Sequence, residues 1–295
     1  MLMRCFTLLL SCMAIAACQQ EPAAPVDDGS PASPALFEVS NPDGQLEGWL
    51  FGTIHSLPDG TEWLTDELEG VSQRAEVLVV EIDGLADDPA IPRIYRQLAA
   101  SKHPVPLTAR VSEDRQAALA ELLDKANASP GDFANVDSWA VALQLANAVS
   151  IGKPENGVDR LLIAKFTGRE IIELEGAAYQ LGIFEALDEK EQRDLLASVI
   201  DESREGPAKL RRQVRDWRQG RLDQLVKPGE AGLLDDPELR QVLLVDRNLR
   251  WVEKLQDAMD EEGPMLVAVG AGHLPGRDGL VALLEQAGYS VRRIQ

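Results

Sequence analysis

Trp49-Leu50-Phe51-Gly52-Thr53-Ile54-His55 is an apolar run that stops at a glycine and, three residues later, presents a histidine. Runs of this length rich in Val, Leu and Phe and broken by Gly read as buried strands. A second run, Met265 to Val269, leads into Gly270-Ala271-Gly272-His273, again Gly-x-x-His. The chain has three histidines, and two of them stand in this motif. In open α/β sheets ligands collect outside the carboxyl ends of strands, and glycine there lets backbone approach a ligand or a neighbouring strand. Each motif therefore either delivers a ring nitrogen to a site or places a histidine that only hydrogen-bonds a nearby loop.

Other strand ends carry acids. Val77-Leu78-Val79-Val80 is fully apolar and runs into Glu81-Ile82-Asp83-Gly84; Asp83 before Gly84 suits a turn, and Glu81 lies closer to the strand end. Arg169 to Leu174 is a further strand, closed by Glu175-Gly176. Each such carboxylate is a site group or a cap for the next turn. At the start of the fold, Leu36 to Ser40, the turn Asn41-Pro42-Asp43-Gly44 and Leu46 to Ile54 read as strand, turn, strand. Tyr289 to Ile294 reads as the last strand.

Helical spacing fills the rest. Trp63 to Ala75 places Leu64, Leu68 and Val71 on one face, and the stretch from Ile91 to Ser150 is helical with a break at Ser129-Pro130-Gly131. His103 lies there in a loop-like stretch without a companion ligand at metal spacing. Asn156-Gly157-Val158-Asp159 opens a helix, with Asn156 as N-cap and Asp159 in its first turn. Tyr179 to Leu225 is helical with breaks at Gly206-Pro207 and Gly220, and its basic run Lys209-Leu210-Arg211-Arg212 reads as a solvated face. Asp235-Asp236-Pro237 starts a long helix to Met259 with the stripe Leu239, Val242, Leu243, Leu249, Val252, Leu255 and Met259. Arg247, beside that stripe, needs an acidic or ligand partner.

Composition sets the surroundings. A formal charge of −20 repels phosphate backbones, so nucleic acid is not an expected partner. Residues 1–17 read as a signal peptide, with Arg4, an apolar stretch from Phe6 to Ile15 and Ala16-Ala17. Ile15-Ala16-Ala17-Cys18 resembles the lipobox of bacterial lipoproteins, which makes Cys18 the lipidated residue and a lipid anchor the only membrane contact. Gln19 after it resembles outer-membrane sorting, on the periplasmic side of the cell envelope. Cys5 and Cys12 fall in the removed segment, so no intramolecular disulfide can form. Residues 18–34, with four prolines, read as a tether, and residues 35–295 as one domain.

Two imidazoles and a carboxylate suit a divalent transition metal such as zinc. Gly52-Thr53-Ile54-His55, Val79-Val80-Glu81, Gly157-Val158-Asp159, Leu174-Glu175 with Gln180, Arg247-Asn248 with Trp251, and Gly270-Ala271-Gly272-His273-Leu274 with Gly276 occur in the order seen in the TraB/GumN family, which includes the Tiki metalloproteases. The chain resembles that family from Leu36 to its C-terminus. The resemblance implies an α/β fold with a central mostly parallel or mixed sheet, of the erythromycin-esterase and haem-binding ChaN kind, plus a long helical insertion. It also implies a manganese- or cobalt-dependent peptidase, with His55, Glu81 and His273 as metal ligands, Glu81 and Arg247 as catalytic groups, and Asp159, Glu175 and Asn248 supporting them. Glu175 is followed by Gly176 where the family pattern has Thr or Ser. Three functions compete: a lipid-anchored metal-dependent hydrolase of peptides or another small substrate, a metal-free esterase-like hydrolase, and a binding lipoprotein for a peptide or haem.

Overall fold

A computed structural model describes residues 26, 29–83, 89–229 and 232–295. The signal segment and Cys18 lie outside the described residues, as does Gly84. The centre is a six-stranded mixed sheet in the order β4-β3-β5-β2-β1-β6. Its strands are β1 (Leu36–Ser40), β2 (Leu46–Thr53), β3 (Val77–Val80), β4 (Glu170–Glu173), β5 (Met265–Gly270) and β6 (Ser290–Arg293). β4, β3, β5 and β2 run parallel, β1 is antiparallel to β2, and β6 is antiparallel to β1. The fully apolar β3 and the run Met265 to Val269 of β5 are buried along their length, as strands covered on both faces must be.

The helices are α1 (Asp66–Arg74), α2 (Ala90–Leu98), α3 (Gln116–Lys125), α4 (Ser138–Val149), α5 (Val158–Lys165), α6 (Ala177–Glu185), α7 (Glu189–Glu205), α8 (Pro207–Arg218), α9 (Leu222–Leu225), α10 (Pro237–Arg240), α11 (Asp246–Glu261) and α12 (Leu280–Gln286). They divide the apolar residues between two cores. One lies around the sheet, with Trp49, Phe51, Trp217 and Trp251 among its largest buried side chains. The other is wholly helical and gathers Leu119, Leu122, Trp139, Leu145, Leu196, Ile200 and Leu239. This second core is the expected helical insertion. Among the described residues no helix is long and apolar enough to cross a membrane.

Several sequence expectations are corrected. α1 begins at Asp66 because Thr65 caps it, its Oγ1 accepting from the Leu68 amide at 3.2 Å; Leu64 falls before the helix and is half exposed. Asn156 is not the cap of α5. Gly157 takes that position, while Asn156 Nδ2 donates to the Leu57 carbonyl and to Asp59. Lys209 is buried and paired with Glu205 at 3.0 Å, so the basic run is solvated only in part. Leu249 is exposed and leaves the apolar stripe of the long helix, since a π-turn over Gln241–Val245 joins α10 to α11 and shifts the phase. Part of the proline-rich stretch is attached to the body: Val26 is buried, and the Ser33 amide donates to the Arg218 carbonyl at 2.8 Å.

Candidate functional site

β2 and β5 pair in parallel with Gly52 opposite Val269 and Thr53 opposite Gly270. The twin motifs are therefore neighbours, and both histidines emerge at the same carboxyl edge of the sheet. β3 lies on the other side of β5 and delivers Glu81 to that edge. β4, beyond β3, delivers Glu175, whose amide donates to the Glu81 carbonyl. Gly176 occupies the N-cap of α6 at φ 78°, a backbone conformation that favours glycine.

Gly270 marks the point of convergence. A Cβ built on it would lie 3.2 Å from Glu81 Oε1, 3.6 Å from His273 Cδ2 and 3.8 Å from His55 Nε2. The three expected ligands thus face one small space, which exists because residue 270 has no side chain. The Gly270 amide donates to Glu81 Oε1 at 2.8 Å and Gln180 Nε2 to Glu81 Oε2 at 2.9 Å.

Arg247 finds the acidic partners its position demanded. Its Nε donates to Glu175 Oε1 at 2.9 Å, and its Nη2 to Glu175 Oε2 at 2.8 Å and Glu81 Oε2 at 2.5 Å. Its Nη1 lies 3.1 Å from the Leu243 carbonyl and 3.3 Å from His273 Nε2. A guanidinium only donates, so His273 Nε2 is the bare nitrogen and Nδ1 carries the proton. That proton goes to Asn248 Oδ1 at 2.6 Å, while Asn248 Nδ2 donates to the carbonyls of His273 and Asp278. The Trp251 ring packs on the imidazole at 4.4 Å between centroids.

His55 differs from His273 in exposure, partner and basicity. Its side chain is 68% exposed, and Nδ1 lies 3.3 Å from Oδ2 of the buried Asp159. The surrounding protein mass lowers its pKa, but the hydrogen bond and charge of Asp159, with the charge of Glu81, outweigh that and push it up to about 9. Burial instead takes His273 down to about 4, against the pull of Glu81. Burial would raise Glu81; the charges of His273, Arg247 and His55 and the Gly270 amide hold it down at about 2. Glu81 and Glu175 thus flank the fixed cation Arg247, and Asp159 pairs with His55.

The donor types suit a divalent cation. Asp159 Oδ1 adds to the case, being buried without a hydrogen-bond partner among the described residues. Among the described residues, however, no group of three or more His, Cys, Asp or Glu is set as a metal cage, and Arg247 stands between His273 Nε2 and Glu81 Oε2. His103, the third histidine, is exposed and far from these groups in sequence.

Sequence reasoning named seven of these residues as site groups and Gln180 as part of a motif. It did not find the Arg240–Asp278 pair at 3.1 Å, which joins α10 to the loop after His273. The model of the TraB/PrgY/gumN family matches residues 35–293. No curated protein and no solved structure matches the chain.

Proposed function

The chain belongs to the TraB/PrgY/gumN family, and from that membership and the site's geometry we propose that it is a metal-dependent hydrolase of peptide bonds. The observation that carries the reading is the space at Gly270, faced at once by Glu81 Oε1, His55 Nε2 and the His273 ring. A divalent manganese, cobalt or zinc ion held by His55, Glu81 and His273 would supply Lewis acidity and lower the pKa of a water.

The chain's own residues do the remaining work. Asp159 holds His55 Nδ1, so that Nε2 faces the reacting space. Asn248 takes the Nδ1 proton of His273 and leaves its Nε2 bare. Glu175 grips Arg247 through Nε and Nη2, and the guanidinium supplies fixed positive charge for a developing oxyanion. Gln180 sets the angle of the Glu81 carboxylate.

Elemental analysis of the purified protein, with His55→Ala and His273→Ala beside it, tests this directly. The expected result is one equivalent of metal and peptide cleavage in the wild type, with both lost in the variants. Absence of stoichiometric metal with unchanged cleavage in both variants overturns it.

A second reading has an observation of its own: the His55–Asp159 pair and the Arg247 contact to His273 need no metal. In that case a histidine, assisted by Glu81, is the general base of an esterase-like reaction, and full activity survives exhaustive chelation. Ligand binding that depends on His55 and never yields product would instead leave the peptide- or haem-binding role. We further propose that Cys18 carries a lipid that holds the body at the periplasmic face of the outer membrane; Cys18→Ala should then move the protein from the membrane to the soluble fraction.

A further inference from the structure

The long helix from Pro237 to Glu261 contains one irregularity, and it sits one residue before Asp246-Arg247-Asn248. The Asp246 amide donates to the Gln241 carbonyl, five residues back, which makes Gln241–Val245 a π-turn. Gln241 Nε2 also reaches Asp246 Oδ1 at 2.7 Å across the same turn. A π-turn inserts one residue into an α-helix and is frequent at functional sites.

The insertion changes which side chains share a face. Arg240 and Asn248 are eight residues apart, about 80° out of phase on a regular α-helix at roughly 100° per residue. With one residue absorbed by the turn they behave as if seven apart, about 20° out of phase. Both then reach the same loop: Arg240 Nη1 donates to Asp278 Oδ2 at 3.1 Å, and Asn248 Nδ2 to the Asp278 carbonyl at 2.7 Å. Asn248 also takes the carbonyl of His273 and its Nδ1 proton.

We infer that the π-turn at Gln241–Val245 is a register device that lets Arg240 and Asn248 clamp Asp278 together, and that this clamp holds Asn248 on Nδ1, which with the Arg247 contact to Nε2 fixes His273 in the tautomer whose Nε2 is bare. Arg240 and Asp278 are positioning residues; they act on the ring through the loop and Asn248. The inference goes beyond the proposed reaction, because the tautomer can be read without turnover.

The test is nitrogen-15 NMR of the three histidines in the full protein at pH 7.5 with chelator present, the His273 signals being assigned from their loss in His273→Gln. The wild type should give protonated Nδ1 and bare Nε2. Deletion of Gln241 restores a regular helix and should convert this to a mixture of tautomers. If that variant does not fold, Arg240→Gln is read in its place, with Arg240→Lys expected to restore the wild-type pattern. A wild-type pattern in the folded deletion variant, or in Arg240→Gln when the deletion does not fold, overturns the inference. A failed hydrolase reading leaves these spectra unchanged, so the two failures are distinguishable.

Discussion

Arg247 Nη2 lies 2.5 Å from Glu81 Oε2 and 2.8 Å from Glu175 Oε2, so one buried guanidinium is shared by two buried carboxylates. Removing a single partner from such a group leaves uncompensated charge in a region of low dielectric. Arg247→Met should therefore cost about 3–5 kcal/mol in urea unfolding at pH 7. The cost should shrink at low pH, where the orphaned carboxylates take protons. Equal stability of variant and wild type at both pH values would remove Arg247 as the keystone of the site.

Two glycines separate function from stability. A methyl group at Gly270 would enter the space between Glu81, His273 and His55, yet the backbone there has φ −48°, which alanine accepts. Gly270→Ala should abolish metal retention and cleavage while the unfolding midpoint moves little. At Gly52 the added carbon would meet the Ala271 Cα and Cβ at 3.0 Å, where β2 approaches the start of the second motif. Gly52→Ala should cost about 1–3 kcal/mol of stability through overpacking. Thermal unfolding and elemental analysis of both variants check the contrast.

The parts of this site that were legible in sequence are those tied to strand ends. Gly52, His55, Glu81, Glu175, Gly270 and His273 each follow an apolar run, and the sheet order turns that shared context into proximity. Arg247 was legible as a charge beside an apolar stripe, which needs partners. The π-turn was not, because its backbone departure has no residue signature; only the exposure of Leu249, against its place in the stripe, records the phase shift. Lys209 was misread because its burial depends on what packs over α8, which no local pattern carries.

The three shifted pKa values open different pH windows. His273 is held down at about 4, so its environment disfavours the charge it would carry unfolded; stability is intact above about 6.5 and falls as pH drops toward 4. Glu81, held at about 2, stabilises above its ordinary value of 4.5, and that contribution is lost as pH falls toward 2. His55, pushed up to about 9, contributes fully below 6.5 and loses its contribution as pH rises through 9. Its exposure lets solvent screen this last effect. Unfolding free energies from pH 4 to 10 should fall at both ends, and His55→Gln should flatten the alkaline side alone.

Asp159 separates positioning from packing. Its Oδ2 faces His55 Nδ1, while its Oδ1 is buried without a hydrogen-bond partner among the described residues. Asp159→Asn keeps the shape and an oxygen that can accept from Nδ1, but removes the charge that raises His55. The His55 pKa, followed by NMR, should fall from about 9 toward its ordinary 6.5. Losing the partner that orients a reacting imidazole should reduce kcat by about 10–100-fold. The unfolding free energy should change by less than about 1 kcal/mol, since the lost ion pair is offset by removal of a buried charge. An unshifted His55 titration would assign the raised pKa to Glu81 and leave Asp159 with only its place at the start of α5.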